Sequence, residues 1–253
     1  MTAPCLAHIV RHPIKSLGYQ EIERAALTRG RPLAFDRVWA LATTAAGFGG
    51  DVVDWAPKMR FVRGAVQGSL QAIQIRLNDA DGSLTLIHPQ RPDFIGTLPQ
   101  DAAALVDWVR PLWPATRPAP DRLVTRADGL AFGDVPDPYL SVLSLTTNRI
   151  LGQRMGRDLS IHRWRGNLWL DGLAPWEEFD LVGRDLRIGT ARLRVEERIT
   201  RCVATTFDPQ SGRQAGDTLA ALENAWGHTD FGVYARVIES GDIFLSGKVT
   251  ILT

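Results

Sequence analysis

Cys202 lies in the segment Ile199-Thr200-Arg201-Cys202-Val203-Ala204-Thr205-Thr206, with Arg201 beside it and Arg194 and Arg198 on the approach. Nearby positive charge stabilises a thiolate, the form of cysteine that ligates metals or attacks electrophiles. Two other readings stay open: a lone cysteine is often a small buried hydrophobe, and on a strand Arg201 points to the opposite face and can support a neighbouring wall. A second set of residues has the chemistry of an anion clamp. Lys15 and Ser16 follow an apolar strand in His12-Pro13-Ile14-Lys15-Ser16, and a lysine with a hydroxyl at a strand end grips phosphate as point charge and donor. Arg37, in Phe35-Asp36-Arg37-Val38-Trp39, is a surface ion pair with Asp36 or, if turned inward, a further clamp. Arg163-Trp164-Arg165-Gly166-Asn167 packs donors around a glycine that lets backbone approach a ligand, and Arg165 and Asn167 share a face if the stretch is extended.

Other chemistries find less support. The histidines (His8, His12, His88, His162, His228) form no HxxxH or HExxH, which argues against a zinc hydrolase. The two cysteines, Cys5 and Cys202, form no CxxC and cannot alone hold an iron–sulfur cluster or a four-cysteine zinc. No GxxxxGK[ST] is present, so Lys15 and Ser16 do not belong to a nucleotide P-loop. Glu177 and Glu178 are adjacent, which does not make an acid–base dyad, and they are expected in a solvated turn. A net charge of +1 supplies no global field toward nucleic acid or an anionic membrane, so the tryptophans are expected as core and pocket walls. The start of the chain lacks the basic and apolar regions of a signal peptide. No apolar run reaches the ~18 residues of a membrane span. The expected location is the cytoplasm, with neither a nucleic acid nor a membrane as partner.

The positioning elements are mainly strands. Alternation and turn residues predict strands at 6–10, 38–42, 70–77 and 83–87, the last two joined as a hairpin across 78–82. Helical spacing of Ala102, Leu105, Val106, Val109 and Leu112 predicts an amphipathic helix stopped by Pro111 and Pro114, and 114–120 reads as a proline-rich connection. A second helix is expected to begin after Ser144, a natural N-cap, and to stop at Gly156. Strands are expected again at 168–170, 185–188, 191–195, 233–238 and 249–252, with a short helix at 219–226. The expected fold class is mainly β, an α+β barrel with a few helices. Two domains are expected: residues 1–95 as a β-rich, barrel-like unit, and 96–253, opened by a helical connection, as a second barrel.

In this order the pieces resemble the MOSC family. Arg163 to Asn167, Gly183 to Gly189, and Thr200 to Pro209 with Gly212 look like the core of a MOSC domain. Pro13-Ile14-Lys15-Ser16-Leu17-Gly18 and Phe35 to Trp39 are similar to the β-barrel domain that precedes MOSC in the amidoxime-reducing molybdoenzymes. The resemblance implies a molybdenum–pterin cofactor (Mo-molybdopterin) with Cys202 as its thiolate ligand and catalytic residue. Lys15, Ser16, Arg37 and Arg165 match positions that hold its phosphate and pterin; Asn167, Thr200 and Arg201 stand close to the same group. It implies an oxidoreductase that reduces N-hydroxylated or N-oxygenated small molecules by oxygen-atom removal. Without cysteines for a fused ferredoxin, an external electron-donor protein (a reductase, ferredoxin or cytochrome) would be the partner. The alternatives are a sulfur carrier using a Cys202 persulfide and a non-catalytic carrier of the cofactor. The chain departs from the pattern at Gly47 to Asp51, where Lys58 is the candidate replacement for a glutamine or arginine pair on the substrate-side wall, and at Ser246-Gly247-Lys248, which alters a turn.

Overall fold

The computed structural model describes residues 3–252. In chain order the elements are β1 (Cys5–Arg11), β2 (Gln20–Ile22), β3 (Arg24–Leu27), β4 (Trp39–Thr43), β5 (Val52–Val53), β6 (Gln74–Leu77), β7 (Ser83–His88), β8 (Arg91–Thr97), α1 (Ala102–Val109) and β9 (Pro120–Arg126). They continue with β10 (Leu140–Ser144), α2 (Leu145–Met155), β11 (Leu168–Asp171), β12 (Asp185–Ile188), β13 (Ala191–Thr200), α3 (Thr218–Trp226), β14 (Asp230–Glu239), β15 (Gly241–Phe244) and β16 (Val249–Leu252). This is a mostly β, α+β fold.

The largest sheet has eight strands in the order β16-β12-β13-β14-β10-β11-β1-β2. Period-2 alternation assigns its two faces. Leu140, Val142, Leu168, Leu170, Val233, Ala235, Leu193 and Val195 turn to one core, which also holds Leu6 and Ile9. Leu143, Trp169, Phe231 and Val10 turn to a second core, where Leu151 of α2 and Leu222 of α3 cover the sheet. The ladder does not close into the expected barrel. β1, next to the edge strand β2, touches the segment before β16 through the Cys5–Lys248 bridge, with Leu6 N donating to Gly247 O at 2.9 Å and Val249 N to Pro4 O at 2.8 Å.

β15 pairs with β3 in a two-stranded sheet, and two three-stranded sheets, β4-β9-β5 and β6-β7-β8, hold the remaining strands. β4 is buried throughout because Trp39 and Leu41 face one core while Ala40 and Ala42 face another. The boundary expected at 95 falls inside β8, and β1 and β2 pair within the large sheet.

Several elements match the sequence reading. Ser144 caps α2, its hydroxyl accepting from Thr147 N at 3.3 Å, and Gly156 ends it with φ of 65°. The strand expected from 70 begins only at Gln74, because 68–72 is a 3-10 turn folded around the backbone of Gly18. Gly18 N donates to Leu70 O at 3.1 Å, and a Cβ on Gly18 would stand 2.1 Å from Ile73 O. β9, just beyond the connection expected at 114–120, runs antiparallel to β4 where no element was expected. Glu178, expected in a solvated turn, is fully buried, its Oε2 accepting from Thr147 Oγ1 of α2 at 2.8 Å. Among the described residues no helix is long and apolar enough to cross a membrane.

Candidate functional site

Three backbone turns deliver the first cations. Beyond β1 the chain bends at His12-Pro13, and Lys15 N donates to Trp39 O at 2.7 Å, laying this segment along the start of β4. Arg37 N donates to His12 O at 2.8 Å, holding the turn before β4 against the same bend. Arg165 ends a 3-10 turn that leads into β11. Ser16, Arg37 and Arg165 have φ of 67°, 51° and 52°. Left-handed backbone costs a non-glycine residue about 1 kcal/mol or more, and such strain persists where surrounding structure fixes it, commonly at functional sites. Here it turns Arg37 toward the Arg165 segment and Arg165 toward the Leu17–Gly18 turn.

The result ties three chain segments together. Arg37 Nη2 donates to Arg165 O at 2.8 Å, while Arg165 Nη1 donates to Gly18 O at 3.0 Å. Arg37 is also paired with Asp36, whose Oδ1 accepts from His12 N at 2.8 Å and lies 3.2 Å from His12 Nδ1. Burial opposes ionisation of Asp36, but Arg37 and the His12 hydrogen bonds outweigh it and hold this carboxyl well below the usual range. His12 goes the other way: burial, then Arg165 and Arg37, push it well below an ordinary histidine. It is therefore neutral and donates from Nδ1 to the carboxylate. Lys15 Nζ reaches Phe132 O (2.9 Å), Gly133 O (3.3 Å) and Asp134 Oδ1 (2.9 Å). Burial lowers its pKa and Asp134 offsets part of that.

Two cations are compensated less: Asp36 and Asp134 act on Arg165, and Asp134 on Arg201, only from a distance. Among the described residues neither Arg165 nor Arg201 makes an ion pair with a carboxylate. Burial, followed by repulsion from Arg37, brings Arg165 down to about 9. Burial brings Arg201 down to about 10. Arg201 donates to Phe231 O from Nε (2.7 Å) and to Trp164 O from Nη1 (2.9 Å), capping the stacked Trp164 and Phe231 rings. Buried charge is expensive unless an opposite charge meets it, so this pair marks a place suited to an anion.

Lys15, Ser16, Arg37, Arg165, Asn167, Thr200, Arg201 and Cys202 all line one cavity of about 570 Å³. Cys202 is half-buried and follows directly on β13. Not every one of these side chains is available to a ligand. The Asn167 amide is spent on the frame: Oδ1 accepts from Ser141 N (3.1 Å) and Oγ (3.0 Å), and Nδ2 donates to Val10 O at 3.1 Å. The Thr200 hydroxyl donates to Asp230 Oδ1 at 2.7 Å. Lys58, named only as a candidate replacement, does reach the cavity.

Other lining residues were not singled out from the sequence: Asp134, Asp137, Tyr139, Glu197 and Tyr234. Tyr139 and Tyr234 pack with ring centroids 5.5 Å apart, and Arg236 lies over Tyr139. They meet because β10 runs antiparallel to β14 with Ser141 opposite Tyr234, a long-range register with no local signal. Among the described residues no group of three or more His, Cys, Asp or Glu could hold a metal.

The family model of the MOSC domain matches residues 132–250 of the chain. The matched segment carries Arg165, Asn167, Thr200, Arg201 and Cys202. Among solved structures the chain is similar to YiiM from Geobacillus stearothermophilus, at 21% identity and TM-score 0.37, over 45% of this chain and 54% of that one. The likeness therefore spans about half the length of YiiM. It is also similar to the YUAD protein from Bacillus subtilis, at 10% identity and TM-score 0.46, over 98% and 95% of the two chains. No curated protein matches the sequence. MOSC domains are associated with molybdenum-cofactor binding, and some members of the family are enzymes that use it.

Proposed function

We propose that this protein is a molybdenum-cofactor oxidoreductase that reduces N-hydroxylated or N-oxygenated small molecules by oxygen-atom removal. One observation carries the reading: the half-buried thiol of Cys202 opens on the same cavity as Arg165 and Arg201, two buried guanidinium groups without a carboxylate. The donor set fits the molybdenum–pterin cofactor. A phosphate brings the missing negative charge, and a soft thiolate suits the metal.

Arg165 and Arg37 would hold the phosphate, with Lys15 and Ser16 beside them. Arg201, capping the Trp164–Phe231 stack, would support the pterin side, and Cys202 would supply the protein thiolate. When bound, the cofactor supplies the two-electron oxygen-transfer chemistry. The chain's own part is to neutralise the anion, orient the thiol and form the remaining wall. On that wall Tyr139, Tyr234, Asp137 and Glu197 offer aromatic faces and carboxylates to a small polar substrate. Electrons would come from a separate donor protein.

The test is elemental analysis of protein made in a cofactor-competent host, beside Cys202→Ser, followed by assay of a model N-hydroxylated compound with chemically reduced protein. The expected result is molybdenum in the wild type, its loss in the variant, and turnover only by the loaded wild type. Molybdenum retained in Cys202→Ser would overturn the thiolate assignment. Bound molybdenum without turnover would make the protein a carrier of the cofactor, and a labile sulfur on Cys202 without molybdenum would make it a sulfur carrier.

A further inference from the structure

The turn that follows Cys202 has its hydrogen bonds made from outside. Residues 203–206 form a single 3-10 turn, a geometry with little stability of its own. Yet the carbonyls from Cys202 to Thr206 all have partners. Cys202 O accepts from Thr205 N and Thr205 Oγ1, both at 3.1 Å. Val203 O accepts from Thr206 Oγ1 at 2.8 Å, and Thr206 O from Ala215 N at 2.8 Å. Thr205 O accepts from Arg163 Nη1 at 3.1 Å, and Ala204 O accepts from Gln71 Nε2 at 2.8 Å.

Two of these contacts have a direction that chemistry dictates. The Thr205 and Thr218 hydroxyls are 2.7 Å apart and buried. Cys202 O can only accept, so Thr205 spends its one proton there and must accept from Thr218. The chain therefore runs from Thr218, at the start of α3, through Thr205 to the Cys202 carbonyl. Gln71 comes from the other half of the molecule. It is 1% exposed, and its Oε1 is buried with no partner among the described residues. An unsatisfied buried acceptor costs about 1–3 kcal/mol, a penalty that an apolar side chain of similar size would avoid. What Gln71 provides that a leucine would not is the bond to Ala204 O. The surrounding contact is tight: a Cβ on Gly68 would stand 2.2 Å from Phe207 Cδ1, and one on Gly212 2.5 Å from Ser69 Cα.

We infer that Gln71 and Thr205 are positioning residues that hold the Cys202 thiol at the cavity, so that the amino-terminal part of the chain sets the reactivity of a cysteine in the MOSC domain. The inference rests on Cys202 being the functional thiol, but it is tested without the cofactor. Cofactor-free wild type, Gln71→Leu, Thr205→Val and Thr205→Ser are pulsed with iodoacetamide across a range of pH, and mass spectrometry reads Cys202 and Cys5 in each sample. Cys5, on β1, reports the integrity of the fold.

Gln71→Leu and Thr205→Val are expected to speed Cys202 alkylation at least five-fold. Thr205→Ser should retain wild-type behaviour, and Cys5 should be unchanged throughout. Unaltered Cys202 rates in both Gln71→Leu and Thr205→Val would overturn the proposal. So would a parallel rise at Cys5, which would signal general loosening. A wild type that takes up no molybdenum would instead defeat the proposed function and leave the alkylation result standing.

Discussion

The same kind of residue is used in opposite ways at two places on the large sheet. Where β12 meets β13, Arg192 and Arg194 flank Asp185, and Arg192 also reaches Glu239 at 3.0 Å. Hydrogen bonds from Arg194 and then Arg192 hold the Asp185 carboxyl below its ordinary value, and the hydrogen bonds to Asp185 raise both arginines. In the cavity, Arg165 and Arg201 give their donors to backbone carbonyls, meet no carboxylate among the described residues, and are lowered by burial. The first cluster is complete as it stands. The second bonds every shape requirement and leaves charge over, and that surplus points to a ligand more directly than the presence of arginine does.

Four experiments bear on this contrast, in falling order of effect. Asp36→Asn removes the one carboxylate that pairs with Arg37, converting a compensated cation into an uncompensated one. Breaking a buried pair costs about 3–5 kcal/mol, and urea unfolding should show a loss in that range; a loss below about 1 kcal/mol would mean that Arg37 is not held by Asp36. Glu178 is the converse case, a buried acid raised to about 7 chiefly by burial. A folded-state pKa above the unfolded one gives stability that is fully present below about 4.5 and lost as pH rises through 7. The full swing is on the order of 3 kcal/mol. Melting curves of wild type should fall between pH 5 and 8, while those of Glu178→Gln stay flatter; parallel curves would refute the raised pKa.

Third, inorganic pyrophosphate should stabilise the cofactor-free protein by binding the cations that lack a paired carboxylate. Arg165→Met should weaken that binding roughly 100-fold, about 2.7 kcal/mol, as read by calorimetry. An equal loss in Arg194→Met would erase the distinction between the clusters. Last, Arg194→Met should leave the urea midpoint where it is in wild type, because Arg192 still holds Asp185.

Much of the site was legible because it lies in short motifs. Lys15 with Ser16, Arg37, Arg165 and Cys202 each stand in a local setting that signals donors or a thiol, and they converge on one cavity. α2 was equally readable, since Ser144 and Gly156 are local cap signals. What stayed hidden depends on partners distant in sequence. Tyr234 and Tyr139 enter the cavity through the pairing of β10 with β14. β9 went unread because it starts at Pro120, where the proline-rich connection ends, and its strand character comes from pairing with β4. Glu178 looked solvated beside Glu177, and only Thr147, 31 residues away, draws it inside. The use of the Asn167 amide as frame also needed Ser141 and Val10 in place.

The left-handed backbone at Ser16, Arg37 and Arg165 has a consequence for engineering this chain. Glycine is the residue that such a conformation suits best, so replacing any of the three with glycine relieves local strain while deleting a donor to the proposed ligand. A variant made sturdier in this way is expected to gain robustness in the empty fold at the expense of what the cavity can hold.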